Sequence, residues 1–377
     1  MLGAGTTAQA AFSAITLGLP VLAPAVREEF GLTLSQIGVF LAAEWIGLIG
    51  ALLPWGFAVD RWGERWMLPL GLAACAGFVA AAAFAPGFAW LVALVALAGA
   101  AGAAVQSGSG RAVMRWFGPE ERGLALGLRQ TAVPIGGVIG ALGLPVAVGL
   151  GGLRAAFLGL AALCLAGAVL AAFVLRERTV DDQLEAEQVR RTLRDARLWL
   201  LCFGSGIYLV AQVAVLGFLV LYLHDERGFS TRDAALVLVV VNVLGGALRI
   251  GLGRWSDAIG SRLVPLRLVG LGGFAALAAA ALLLGAPIAL LLPAFVVAGG
   301  LSMAWNGLSF TAAAELAGSG RSGAAIGFQQ TVLSLIGIAV PIGFAAAVDA
   351  FSWQAAFALA ALGPLLGWWA LGRLPQR

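Results

Sequence analysis

Long stretches of this chain carry no charge, and the charges it has arrive in clusters. Cutting at those clusters and at Gly/Pro breaks leaves twelve apolar segments, each close to the ~20 residues that a bilayer-spanning helix needs. The first six run over about 4–26, 34–57, 66–85, 88–115, 122–148 and 152–175. The second six run over about 196–223, 232–255, 262–284, 287–315, 321–348 and 353–372. Composition removes the soluble alternative. Apolar residues make up 61% of the chain, 53 more residues are glycine, and only 11% are charged, against about 25% in a soluble domain. Too little polar surface remains to cover a globule. The expected fold is an all-α integral membrane protein of twelve transmembrane helices.

All 23 basic residues are arginine. Without lysine there can be no Gly-x-x-x-x-Gly-Lys phosphate loop, which excludes ATP-driven transport by this chain alone. A net charge of +4, dispersed along the chain, gives no case for nucleic acid. Arginines instead report orientation. With the N-terminus in the cytoplasm, seventeen arginines fall on the cytoplasmic side and four (Arg27, Arg154, Arg227 and Arg232) on the other. The expected placement is the inner, cytoplasmic membrane, multi-pass, with both termini inside. The N-terminus lacks a positive leader region, so the first helix is expected to be retained. Cys75, Cys164 and Cys202 lie in apolar runs whose spacing suggests neither a metal site nor a disulfide.

The chain repeats itself. Gly56-Phe-Ala-Val-Asp60-Arg61-Trp-Gly63-Glu-Arg65 recurs as Gly253-Arg-Trp-Ser-Asp257-Ala258-Ile-Gly260-Ser-Arg262, offset by 197. Phe30-Gly31-Leu32-Thr33 and Arg227-Gly228-Phe229-Ser230 share that offset, and Gln130-Thr131 matches Gln330-Thr331 at offset 200. Parallel six-helix repeats related by an axis along the membrane normal are a transporter architecture. The expected domains are therefore a six-helix bundle over 1–175, a cytoplasmic linker over 176–197 and a second bundle over 198–377. That linker holds six arginines and six acids.

On these residues the whole chain resembles the major facilitator superfamily. Gly56, Asp60, Arg61, Gly63 and Arg65 fill every position of the family pattern G-x-x-x-D-[RK]-x-G-x-[RK] between helices 2 and 3, whereas the second copy has Ala258 where a base often stands. The resemblance implies two pseudo-symmetric six-helix bundles and a cytoplasmic gate. Its candidates are Asp60, Arg61, Arg65, Asp257 and Arg262.

Polar residues inside the hydrocarbon face a bundle interior or water. Helices 3, 6, 9 and 12 are nearly free of them, which matches an outer scaffold. Helix 1 carries Gln9, Ser13 and Thr16 on one face, helix 7 carries Ser205, Tyr208 and Gln212, and helix 10 carries Ser302, Asn306 and Ser309. Helix 4 adds Gln106 and Ser109. Small polar residues can simply join helices. Three stripes on helices that line the family's pathway point instead to a hydrated cavity.

Three ionisable groups set well inside the predicted helices bear on function: Arg249, Glu44 and Arg129. Arg249 sits roughly 9 Å deep in helix 8 at 1.5 Å per residue, with Asn242 on its face. Monocarboxylate and oxalate/formate porters have a substrate-binding arginine similarly placed, so the resemblance implies an anion contact. The alternative is a structural arginine tied to carbonyls or to Asp257. Glu44 falls near the midplane of helix 2. Loss of water favours the neutral form of a carboxyl, which suits a proton carrier, though a hydrogen-bonded structural Glu would look the same. Arg129, whose repeat position is the neutral Gln329, can supply a second anion contact or pair with Glu120 or Glu121. Pro134-Ile-Gly136-Gly137 loosely resembles a helix-5 element of proton-driven antiporters, and close helix packing explains it equally well.

The sequence reading is a non-enzymatic secondary transporter of a small organic anion, monocarboxylate-like and proton-coupled, working by alternating access. Its substrate-binding candidates are Arg249, Asn242, Gln9, Ser13, Gln106, Arg129, Tyr208, Gln212 and Asn306, with Glu44 as proton carrier. No cofactor or metal is expected, and the partners are the substrate, H+ and the lipid bilayer, with the chain monomeric. The alternative is proton-driven efflux of amphipathic drugs. The only histidine, His224, beside Asp225 and Glu226, reads as surface structure.

Overall fold

A bilayer offers no water to backbone N–H and C=O groups, so spanning segments must close their hydrogen bonds internally. In a computed structural model describing residues 2–116, 129–176, 192, 194–318 and 322–375, the chain does so with helices alone, and no strand forms among the described residues. Among the described residues eleven helices are long and apolar enough to cross a membrane. One of them, Ala132–Val174, is 43 residues long and has non-helical Gly151 and Gly152 inside it. At about 1.5 Å per residue it is twice the length a bilayer needs, and the glycine pair divides it into helices 5 and 6. The twelve helices are thus those of the sequence reading, numbered here in chain order, and with an even number of spans the start of helix 1 and the end of helix 12 share one face. That face is called the terminal face, and its opposite the far face.

The repeat has a local physical cause. Helix 1 ends at Gly31 (φ 60°), and Gly228 (φ 69°) stands at the same place after helix 7. Gly63 (φ 79°) and Gly260 (φ 64°) end helices 2 and 8. Left-handed backbone of this kind is open to glycine and strained for other residues. Two residues beyond the first pair, Thr33 and Ser230 cap helices 2 and 8, accepting from the backbone N–H groups of Gln36 and Asp233. Gln36 completes a reciprocal capping box.

Several boundaries differ from the sequence reading. Helix 2 runs on to Trp62 and helix 3 starts at Glu64, so Asp60 and Arg61 occupy the last turn of a helix and not a loop. Gly63 alone reverses the chain there. The beginning of the expected helix 5 and most of the expected linker, 177–191, lie outside the described residues, as do Glu120 and Glu121. Helices 1 and 7, the first of each half, are both broken midway. Helix 1 consists of Leu2–Thr16 and Leu19–Phe30, and helix 7 of Ala196–Gly206 and Leu209–Asp225. Pro20 near the start of the second segment of helix 1 accounts for one break. Tight turns satisfy the freed groups, with Gly18 N–H donating to Ile15 O (3.0 Å) and Tyr208 N–H to Ser205 O (3.1 Å).

The two six-helix bundles meet along helices 2 and 11, 5 and 8, and 1 and 7. Gly38 of helix 2 packs on the backbone of Pro341 in helix 11, and Gly137 of helix 5 on Asn242 in helix 8. Such close approaches replace the hydrophobic drive that lipid does not supply. Within the first half, Gly136 of helix 5 lies against the helix 1 backbone at Ala10, so packing alone accounts for the Pro134–Gly137 element.

Candidate functional site

The breaks in helices 1 and 7 flank a central cavity of about 120 Å³ between the two halves. Thr16, Leu17 and Pro20 line it from the first half, and Leu209 and Gln212 from the second. Discontinuous helices at mid-membrane depth are where transporter sites form, because irregular backbone is tolerated beside a cavity.

Its polar lining consists of amides, hydroxyls and one guanidinium. Gln9, Ser13, Gln106, Gln212, Arg249 and Asn306 all reach it, as the sequence stripes led one to expect. Gln130, Gln330 and Trp45 line it as well. The two glutamines had marked the repeat without being read as cavity residues. Their matched positions were the available signal, since equivalent residues of two halves facing one axis converge on it.

Arg249 is 8% exposed and is cradled by neutral oxygens. Its Nε donates to Met303 O (2.6 Å), Nη2 to Asn306 Oδ1 (2.9 Å) and Nη1 to Gln130 O (2.7 Å). Met303 and Asn306 belong to the arginine's own half, whereas Gln130 belongs to the other, so this side chain spans the interface. Asp257 pairs with Arg262, and the carbonyls that hold Arg249 are those of helices 5 and 10. Arg129 is buried too, and its Nη2 donates to Gln9 Oε1 (3.2 Å) and Gln106 Oε1 (3.2 Å), both cavity residues.

Arg129 itself does not line the cavity, and two further candidates lie elsewhere. Asn242 is fully buried, donating to Leu238 O within its own helix, and its amide oxygen lies against Gly137. Tyr208 packs edge-on to Trp305, with its hydroxyl against Gly270 of helix 9. Helical periodicity placed both on a polar face without saying which neighbour that face meets. Neither lines the cavity. Ser205, Ser309 and Gln329 likewise hydrogen-bond one another inside the second half.

Glu44 is buried in helix 2 and accepts from Thr16 Oγ1 at 2.6 Å. Because Thr16 lines the cavity, one hydroxyl separates the carboxyl from it.

The two faces differ. At the far face Arg27 pairs with Asp225, and Ser35 donates to Asp349, each contact joining the halves. At the terminal face Arg262 pairs with Asp257 and Glu315, all within the second half. Arg61 and Arg65 lie over the rings of their neighbours Trp62 and Trp66. Asp60 lies on the last turn of helix 2, and its side chain is outside the described residues. His224 Nδ1 meets Asp225 at the rim of the far face. Among the described residues no group of His, Cys, Asp and Glu is arranged to hold a metal.

Similarity to known proteins agrees with this architecture. A model of the Major Facilitator Superfamily matches residues 5–341. An uncharacterised MFS-type transporter of Mycobacterium tuberculosis (strain ATCC 25618 / H37Rv), Rv2994, is 32% identical over 361 residues, 92% of this chain and 79% of its own. A probable sulfoacetate transporter of Cupriavidus necator, SauU, is 28% identical over 280 residues, 67% of this chain and 63% of its own. Among solved structures, an inward-facing bacterial homologue of the human lysosomal transporter Spinster matches with a TM-score of 0.77 at 15% identity, over 98% of this chain and 94% of that one.

Proposed function

The chain belongs to the Major Facilitator Superfamily, and from that premise we propose that it carries a small organic anion, in the simplest case a monocarboxylate, across the cytoplasmic membrane by proton-coupled alternating access. The observation that carries this reading is Arg249. A guanidinium within the membrane costs several kcal/mol unless an anion or oxygen dipoles meet it. Its partners among the described residues are three neutral oxygens, so its charge is solvated but not neutralised. A substrate carboxylate arriving in the cavity completes the neutralisation, and the fork of a guanidinium matches a carboxylate in shape. Gln9, Gln106, Gln212 and Asn306 then supply hydrogen bonds to the rest of the molecule.

Glu44 is the proton carrier in this reading, exchanging with the cavity through Thr16. The charged residues of the terminal face, Asp60, Arg61, Arg65, Asp257 and Arg262, form the gate that closes when the far face opens. The excess of arginines at that face supports a cytoplasmic position for it, with both termini, by the positive-inside rule. The relative SauU, named for sulfoacetate, supports an acidic substrate. The transport cycle needs no cofactor, metal or catalytic group, and a single chain contains both halves of the pathway.

The test is reconstitution in liposomes loaded with a pH-sensitive dye, under gradients of lactate, pyruvate, acetate, oxalate or a cationic dye. Anion-dependent proton uptake is expected, falling about a hundredfold in Arg249→Ala, the equivalent of one strong charge-assisted contact. A response to the cationic dye alone, unchanged in Arg249→Ala and lost in Glu44→Gln, would refute the anion pathway and point to drug efflux.

A further inference from the structure

Two cavity amides of the second half are not free to choose which end they offer. We propose that the preferred substrate is an α-oxo acid, selected over the matching α-hydroxy acid because Gln212 and Asn306 turn only their NH₂ ends to it, with Trp305 as the positioning residue behind Gln212. This substrate class rests on the proposed role of Arg249 in anion transport.

A side-chain amide has one accepting and one donating end, and a partner that can only donate decides which way it turns. An indole N–H and a guanidinium are both partners of that kind. Trp305 Nε1 donates to Gln212 Oε1 (3.2 Å), and Arg249 Nη2 donates to Asn306 Oδ1 (2.9 Å). Both amide nitrogens therefore point away from those partners, and neither donates to another of the described residues. Gln212 and Asn306 line the cavity, so the two NH₂ groups are offered there. Trp305 itself is fully buried behind the wall, where Tyr208 packs edge-on to it with ring centroids 6.1 Å apart. The indole is thus held in place, and its N–H fixes Gln212. Tyr208, which does not line the cavity, acts on it at one remove.

The fixed ends select the chemistry. Asn306 shares Arg249 with any carboxylate bound there, so its NH₂ flanks that acid. A carbonyl oxygen on the α-carbon accepts from such donors and asks for nothing in return. A hydroxyl also accepts, but it brings a proton that needs an acceptor, and a buried donor left unpaired costs more than a hydrogen bond gains. Gln130 and Gln330, which no donor-only partner fixes, and the hydroxyls of Ser13 and Thr16 can serve either acid. They soften the discrimination, and the fixed pair supplies it.

The experiment measures half-saturation concentrations for pyruvate and lactate at pH 7 in proteoliposomes, for the wild type, Trp305→Phe and Gln212→Met. The two acids share charge, carbon count and carboxylate, and differ only in the group on the α-carbon. The wild type should favour pyruvate by about fivefold or more, the effect of one unpaired donor. Trp305→Phe keeps a ring against Tyr208 but removes the N–H, so Gln212 can turn its oxygen toward a hydroxyl. The preference should then fall by about twofold or more, chiefly through tighter lactate. A merely structural role for Trp305 would shift both acids together. Gln212→Met should narrow the preference as well, here by weakening pyruvate. Equal half-saturation or a preference for lactate in the wild type would overturn the oxo-acid reading while leaving anion transport standing. An unchanged preference in Trp305→Phe would do the same, and if that variant fails to fold, an unchanged preference in Gln212→Met decides. Transport of acetate or oxalate but of neither three-carbon acid would also overturn this reading alone, whereas transport of no anion would overturn both.

Discussion

A methyl group at Gly38 should push the far face open. An ideal Cβ on Gly38 would lie 2.6 Å from Pro341 O and 2.8 Å from Ala345 Cβ. Ordinary contact begins near 3.4 Å, so Gly38→Ala leaves helix 2 too close to helix 11 by about 0.8 Å. The obstructing atom is backbone, inside a helix, and no rotamer change relieves it. Overpacking of this size costs about 1–3 kcal/mol, and it is paid only in the state where these two helices touch. The closed far face should therefore lose population by about 5–150-fold relative to the alternative. Spin labels at Glu28→Cys and Arg232→Cys, both exposed at the far face and in different halves, report this as a longer distance. The native cysteines Cys75, Cys164 and Cys202 are buried and compete little for label. Gly50→Ala, on the same helix, is the control, because a Cβ there meets nothing within 4 Å. It makes the same gain in helix propensity, up to about 1 kcal/mol, without the clash. If Gly38→Ala and Gly50→Ala give the same distance distribution as the wild type, the helix 2–helix 11 contact is not what closes this face.

Two further outcomes are expected. Glu44→Gln should still exchange labelled acid for unlabelled acid across the membrane but fail to concentrate it against a pH gradient, as counterflow and pH-driven uptake measured side by side would reveal; loss of both activities would make Glu44 structural. Arg27→Ala or Asp225→Asn should loosen the far face modestly, since partly exposed ion pairs contribute about 0.2–1 kcal/mol. The effect should fade as salt is raised, and an effect independent of salt would refute an electrostatic latch.

Much of the architecture was legible because membranes make hydropathy and backbone conformation speak plainly. Gly31, Gly63, Gly228 and Gly260 sit where the chain needs positive φ, so they recur at a fixed offset and betray the duplication even where the apolar residues between them have drifted. Of the two mid-helix breaks, the one in helix 1 carries a mark in Pro20, whereas the one in helix 7 carries none. Nothing in the run from Ser205 to Gln212 distinguishes a broken helix from a continuous one. The cavity residues Gln9, Gln106, Gln212 and Asn306 were readable as polar groups on one face. Asn242 and Tyr208 looked the same in sequence, yet they face Gly137 and Gly270, because period 3.6 fixes a direction on a helix and not the neighbour found there. The partners of Arg249 were unreadable for a deeper reason, since two of the three are main-chain oxygens that any side chain could carry.

That last property has a consequence for anyone mapping this pathway by mutation. Gln130 and Met303 hold Arg249 through atoms that every substitution except a backbone edit preserves. A complete alanine survey would flag Arg249 and Asn306, but at Gln130 and Met303 it would report only the loss of side chains and never the two carbonyls that form most of the cradle. Replacing the amide that follows Gln130 with an ester, which weakens the carbonyl as an acceptor, would make that hidden part audible.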